Sequence, residues 1–113
     1  MIPHRLKVKK ELIPLVLKKG LLAGSEYLSL RVLNNPNQKE AHFTVIITKK
    51  AIKLAVNRHA NQRKIYEIIQ QILPVISAGV NVLIFPKKDL RDLKNESLKE
   101  EILKVFKKAG LVA

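Results

Sequence analysis

Val56-Asn57-Arg58-His59-Ala60-Asn61-Gln62-Arg63-Lys64-Ile65-Tyr66-Glu67-Ile68-Ile69-Gln70-Gln71-Ile72-Leu73 holds two kinds of helix in one run. In its second half Ile65, Ile68, Ile69, Ile72 and Leu73 recur at the spacing that gathers apolar side chains into one buried stripe. In its first half Asn57 to Lys64 is polar on nearly every face. Those turns are expected to look onto bulk water or a ligand and not into a core. Working outward, Pro74 and Gly79 bracket a break, and Val80 to Phe85 is a strand with the apolar run Val82–Phe85, ended by Pro86. On the other side a strand alternates, with Phe43, Val45 and Ile47 inward and His42, Thr44 and Thr48 outward.

Further upstream, Ser25 to Leu33 alternates in the same way, with Leu28, Leu30 and Val32 facing one side and Tyr27, Ser29 and Arg31 the other. The polar turn Asn34-Asn35-Pro36-Asn37-Gln38-Lys39 predicts that these two strands form an antiparallel pair. Near the N-terminus Pro14 suits the first turn of a short helix, with Gly20 as its C′ residue after Lys18 and Lys19. At the other end Ser97-x-x-Glu100 reads as a capping box before the stripe Leu98, Ile102, Val105, Phe106 and Ala109, with Gly110 as the stop. The order is α-β-β-α-β-α with room for a further short strand near residues 20–26. The expected fold class is α+β: a single-domain α/β sandwich with a small central sheet, one domain over residues 1–113.

The chain of 113 residues carries 22 Lys and Arg against 9 Asp and Glu, for a net charge of +13. A surplus of that size repels itself and suits a polyanionic partner. Hydrophobic residues make up 47%, too many for a disordered basic tail. The absence of cysteine excludes disulfide scaffolds, thiolate zinc sites and cysteine nucleophiles. No apolar run reaches the roughly 20 residues of a membrane span, and no secretory h-region follows Met1, so a soluble cytoplasmic protein is expected. The charge is uneven. From Lys49 to Lys64 there are six bases, namely Lys49, Lys50, Lys53, Arg58, Arg63 and Lys64, and no acid. Residues 86–113 mix both signs, as a solvated helix does.

On the central helix Arg58, Asn61 and Gln62 share one face, and His59, Arg63 and Tyr66 the adjacent one. Guanidinium forks match phosphates, and amides bridge phosphate, ribose or base edge. Lys49, Lys50, Lys53, Arg58, His59, Asn61, Gln62, Arg63 and Lys64 are therefore the candidate RNA-binding set. His4, His42 and His59 lack ligand spacing, and Asp89 and Asp92 read as surface charges among Lys87, Lys88 and Arg91. No catalytic residue and no protein metal site is assigned. Phe43, Phe85 and Phe106 read as core; Tyr27 and Tyr66 are either base-stacking platforms or partly packed rings.

Over nearly its whole length the chain resembles the protein subunit of bacterial ribonuclease P. The resemblance runs from Arg5-Leu6 and Lys18-Lys19-Gly20 through Tyr27–Val32 and Phe43–Thr48 into Thr48-Lys49-Lys50. It continues through Ala55–Glu67, where Arg58 matches the first arginine of the family's Arg-Asn-Arg signature, and on to Val80–Phe85 and Lys107–Leu111. His59 and Ala60 replace the rest of that signature, and Asn61 and Gln62 stand where apolar and basic residues are usual. Ile13 and Leu17 replace aromatics common on the first helix. The resemblance implies a ribosomal protein S5 second-domain-like fold with a left-handed crossover. It implies a non-catalytic protein subunit of an RNA-based endoribonuclease that cuts precursor tRNA at its 5′ end. The implied partners are the catalytic RNA and precursor tRNA, with no membrane and no obligate protein partner. The implied cofactor is Mg²⁺, held mainly by RNA and substrate. The implied cleft for the 5′ leader is formed by Ile13, Leu17, Tyr27, Arg31 and Thr44. Two other readings stay open: a binding module of the same fold serving ribosomal or other structured RNA, and a binder of anionic membranes or acidic proteins.

Overall fold

The computed structural model describes residues 6–112, so His4 and Arg5 lie outside it. Three helices and four strands follow in the order α1 (Ile13–Lys19), β1 (Leu21–Gly24), β2 (Leu28–Asn34), β3 (His42–Val45), α2 (Ala55–Ile72), β4 (Val80–Pro86) and α3 (Asn95–Lys108). Short 3₁₀ turns lead into α1 and close α2. The mixed α+β architecture and the short strand near residue 20 agree with the sequence.

The strand pairing does not. The sheet order is β1-β2-β4-β3, so β2 and β3, expected to pair antiparallel, are separated by β4. β4 runs antiparallel to β2 and parallel to β3. The reason is burial: Val80 to Ile84 is buried at every position, whereas β2 and β3 are buried only at alternate ones. A strand buried on both faces belongs in the middle of a sheet covered on both sides.

One face carries Leu28, Leu30, Val32, Phe43, Val45, Val82 and Ile84, packed under α2 and α3. Phe43 and Phe106 are fully buried, with rings stacked at 6.1 Å between centroids. Tyr66 is buried in the same core, and its hydroxyl accepts the Val45 N–H at 2.9 Å. That makes Tyr66 a link between α2 and β3 and not a stacking platform. The opposite face is thinner: Val8 and Val16 close on Leu83, with Ile13, Leu33, Ile46 and Phe85 around them. Phe85 thus belongs to the second face and is only half-buried.

Two helix ends differ from expectation. α3 starts at Asn95 after Lys94, with no side-chain cap, so Ser97 lies inside the first turn and forms no capping box. Gly110, at φ 78°, ends it as expected. Gly20 caps α1 in an extended conformation at φ −68°, not a left-handed one. It is needed for space, because a Cβ there would lie 2.4 Å from the Val16 carbonyl oxygen.

Candidate nucleic-acid interface

The basic segment forms a turn after β3 and the first half of α2. Lys49, Lys50 and Lys53 are exposed on the turn, and His59 and Arg63 are exposed on the helix. Arg58 is half-buried and folds back over the turn, donating from one guanidinium nitrogen to the Ile52 and Lys53 carbonyls at 3.0 and 2.9 Å. Its remaining N–H groups can still meet an anion. Gln62 donates to the Val45 carbonyl at 3.3 Å, which ties the helix to β3.

Asn61 and Lys64 depart from the expectation that this half of α2 faces water or ligand. Asn61 is fully buried. Its amide donates to the Asn57 carbonyl at 2.8 Å and to Asp89 at 3.0 Å, and its oxygen accepts the Leu90 N–H at 2.7 Å. As the protein stands, both Asn61 N–H groups are spent inside the protein, and the buried side chain has no donor left to offer a phosphate. The Lys64 ammonium donates to the carbonyls of Leu90 and Arg91 at 3.1 Å each and to that of Leu93. Asp89, read from sequence as a free surface charge, accepts from the Arg91 Nε at 2.9 and 3.0 Å and from the Arg91 backbone N–H at 3.0 Å. The Arg91 side chain, with the Asn61 amide and the Arg91 backbone N–H, holds the Asp89 carboxyl well below the usual carboxylate range, and Asp89 in turn raises the Arg91 guanidinium. Burial pushes the Tyr66 phenol up.

The residues assigned to a leader cleft separate into three places. Arg31, Leu83 and Thr44 form one cross-strand row, so Arg31 and Thr44 share the α1 face of the sheet. Thr44 accepts the Val8 N–H at 3.1 Å and, with Ile13 and His42, lines a groove of about 790 Å³ rimmed by Lys7, Lys9 and Lys10 with Glu11 beside them. Arg31 reaches the other end of α1, donating to the Leu17 carbonyl at 3.4 Å beside the exposed Leu17 side chain. Tyr27 is apart from both, packed against the main core with Lys88 Nζ 4.8 Å from its ring centre. Sequence reading missed a second groove on this face, about 360 Å³, floored by Ser29, Ile46 and Phe85 and flanked by Lys50 and Lys87. Its signal was present in the outward Ser29 and the Pro86-Lys87 strand end, but Phe85 had been read as core.

Among the described residues no three His, Cys, Asp or Glu side chains come together as a metal site would need. No described helix is long and apolar enough to cross a membrane. What fold and surface define is a small, strongly basic α+β protein with a cationic helix on one side and a grooved sheet face on another.

The comparisons with known proteins agree with that class. The Ribonuclease P family matches residues 3–110. The ribonuclease P protein component of Finegoldia magna is 33% identical over 95 residues, spanning 84% of this chain and 81% of the relative. Solved ribonuclease P proteins of Staphylococcus aureus and Thermotoga maritima share the fold. The first superposes at a TM-score of 0.83 with 18% identity, covering 95% of this chain and 90% of that one. The second superposes at 0.80 with 20% identity, covering 90% and 96%. The chain belongs to the ribonuclease P protein family. It is a protein component of the metal-dependent ribonucleoprotein endoribonuclease that matures the 5′ ends of tRNA.

Proposed function

We propose that this chain, acting as a single RNA-binding domain, grips the catalytic RNA of ribonuclease P through the Lys49–Lys53 turn and the exposed side of α2. In the same reading it guides the 5′ leader of precursor tRNA along the α1 face of the sheet. The observation that carries this is the run from Lys49 to Lys64, six bases without an acid, four of which stand exposed at Lys49, Lys50, Lys53 and Arg63. The sheet-face grooves support the second half, because each has an apolar floor with lysines at its edge, as an unpaired strand requires. Ile13, Leu17, Arg31 and Thr44 remain in that path; Tyr27 would meet only a strand that runs past Lys88.

The protein contributes electrostatics and positioning, and bond cleavage belongs to the RNA. Bringing catalytic RNA and substrate together costs electrostatic work between two polyanions, which a cationic protein lowers. The metal in this reading is Mg²⁺, held by RNA and substrate, and the setting is the cytoplasm with no obligate protein partner.

The test is cleavage of a precursor tRNA by ribonuclease P RNA from the same source at low Mg²⁺, with and without the protein. Stimulation is expected. Tight RNA binding without stimulation would favour a module serving another RNA, the reading to which the departures at His59 and Ala60 point.

A further inference from the structure

α2 has an unusual anchor. Its buried residues are Asn61, Ile65, Tyr66, Ile68, Ile69 and Ile72, so its first half is held inward by a carboxamide and no apolar side chain. Leu54, just before it, and Val56 are 60% and 71% exposed. A helix end with no apolar packing frays readily, since most helical stability in a protein comes from tertiary contacts.

What replaces apolar packing is a polar tether to the loop between β4 and α3. Asn61 grips that loop through Asp89 and the Leu90 N–H. Lys64, one turn on and on the same side, has its ammonium directed at the carbonyls of Leu90, Arg91 and Leu93. An ammonium has three protons, and three carbonyls meet them. Asp89 is itself fixed by Arg91. Arg63, next to Lys64 and about 100° further round the helix, is left facing outward.

We infer that Asn61 and Lys64 are positioning residues of the RNA interface. They dock the β4–α3 loop onto α2, and so fix the aim of the exposed cations at Arg63 and on the turn before the helix, without meeting RNA themselves. The inference rests on the RNA-binding reading above and changes its membership: two of the nine candidate RNA-binding residues act through the others. A preset cationic surface binds more tightly than one that must be ordered on contact. For Lys64 to reach a phosphate it would have to abandon three carbonyls.

Salt dependence separates the two roles. A lysine that neutralises a phosphate contributes about 0.7 to the slope of log K against log salt on flexible RNA, and a lysine held by carbonyls contributes nothing. Binding of the same-source ribonuclease P RNA would be measured across salt for the unsubstituted protein, Lys64→Met, Lys64→Arg, Asn61→Ala and, as a contact control, Lys53→Ala. Lys64→Met and Asn61→Ala are expected to weaken binding about three- to tenfold at every salt concentration with the slope unchanged. Lys53→Ala is expected to reduce the slope by about 0.7, and Lys64→Arg, which keeps the donors, to restore affinity. Amide exchange at Leu90 is expected to quicken at least about tenfold in Asn61→Ala. If Asn61→Ala does not fold, Asp89→Ala removes one of the two Asn61 links to the loop, and its readout is faster Leu90 exchange, because the loss of a carboxylate also changes the net charge that RNA meets. A Lys64→Met slope reduced as much as the Lys53→Ala slope would overturn the inference, as would full affinity in both tether variants. A slope near zero for the unsubstituted protein would instead overturn the RNA reading, and Leu90 exchange, which involves no RNA, tells the two failures apart.

Discussion

Arg63 is the simplest base to test, because among the described residues its guanidinium meets no partner. Arg63→Ala is expected to weaken RNA binding while leaving the melting temperature within about 2 °C, as surface changes of under 0.5 kcal/mol do. Arg58 is different, since it also closes the turn before α2. Arg58→Ala should lose RNA affinity and also about 1 kcal/mol of stability, read by denaturant unfolding. Tyr66→Phe leaves the buried Val45 N–H without an acceptor and should cost about 1–2 kcal/mol. Asp89 gives a pH test. Its carboxyl is depressed by Arg91, so its contribution is fully present above an unfolded-state pKa near 4 and is lost as pH falls below that. The stability gap between the protein and Asp89→Asn should therefore be constant from pH 7 to about 5 and shrink in more acid solution, as followed by thermal melts. None of these internal partners is visible from spacing. A helical wheel puts Asn61 beside Arg58 and Gln62, and only the arrival of a loop 28 residues further on turns that polar position inward.

Single elements were easier to read than their neighbours. α1, α2, β2, β4 and the end of α3 follow from apolar period, Pro14 and Gly110, because face and terminus are local properties. Strand order is not local. A period of two says which side chains are buried and nothing about which strand lies alongside, so the polar turn at 34–39 suggested a hairpin where β4 actually intervenes. The better clue was the apolar run Val82–Phe85 in β4, a signature of a central strand. The capping box at Ser97 failed for a related reason: the motif is a local pattern, and α3 takes up its first turn from Asn95 as it packs. Gly20 carries the element-scale prediction. Its φ would suit alanine, yet the added Cβ meets backbone at the α1–β1 corner. Gly20→Ala should destabilise by about 1–3 kcal/mol, as overpacking does, and widen the path between α1 and the sheet.

At the scale of the whole molecule, charge and fold divide the work. The +13 surplus promises a polyanion, and the fold decides which cations are free to meet it. With Lys64 held by loop carbonyls, five remain in the mid-chain set: Lys49, Lys50, Lys53, Arg58 and Arg63. At about 0.7 per contact, log K for RNA should fall with log salt at a slope near −3.5. A measured slope of −1 or flatter would mean that most of these bases never touch phosphate. The central place of β4 has one more consequence, which concerns birth and not binding. The strand that joins β2 to β3 is the second-last element of the chain, so of its sheet a nascent polypeptide can make only the short β1–β2 ribbon until residue 86 has left the ribosome. A two-stranded ribbon of that length is marginal in water. The sheet therefore closes late and all at once, through long-range pairing that folds slowly. During that interval the like charges of residues 1–64 keep unfinished copies from one another.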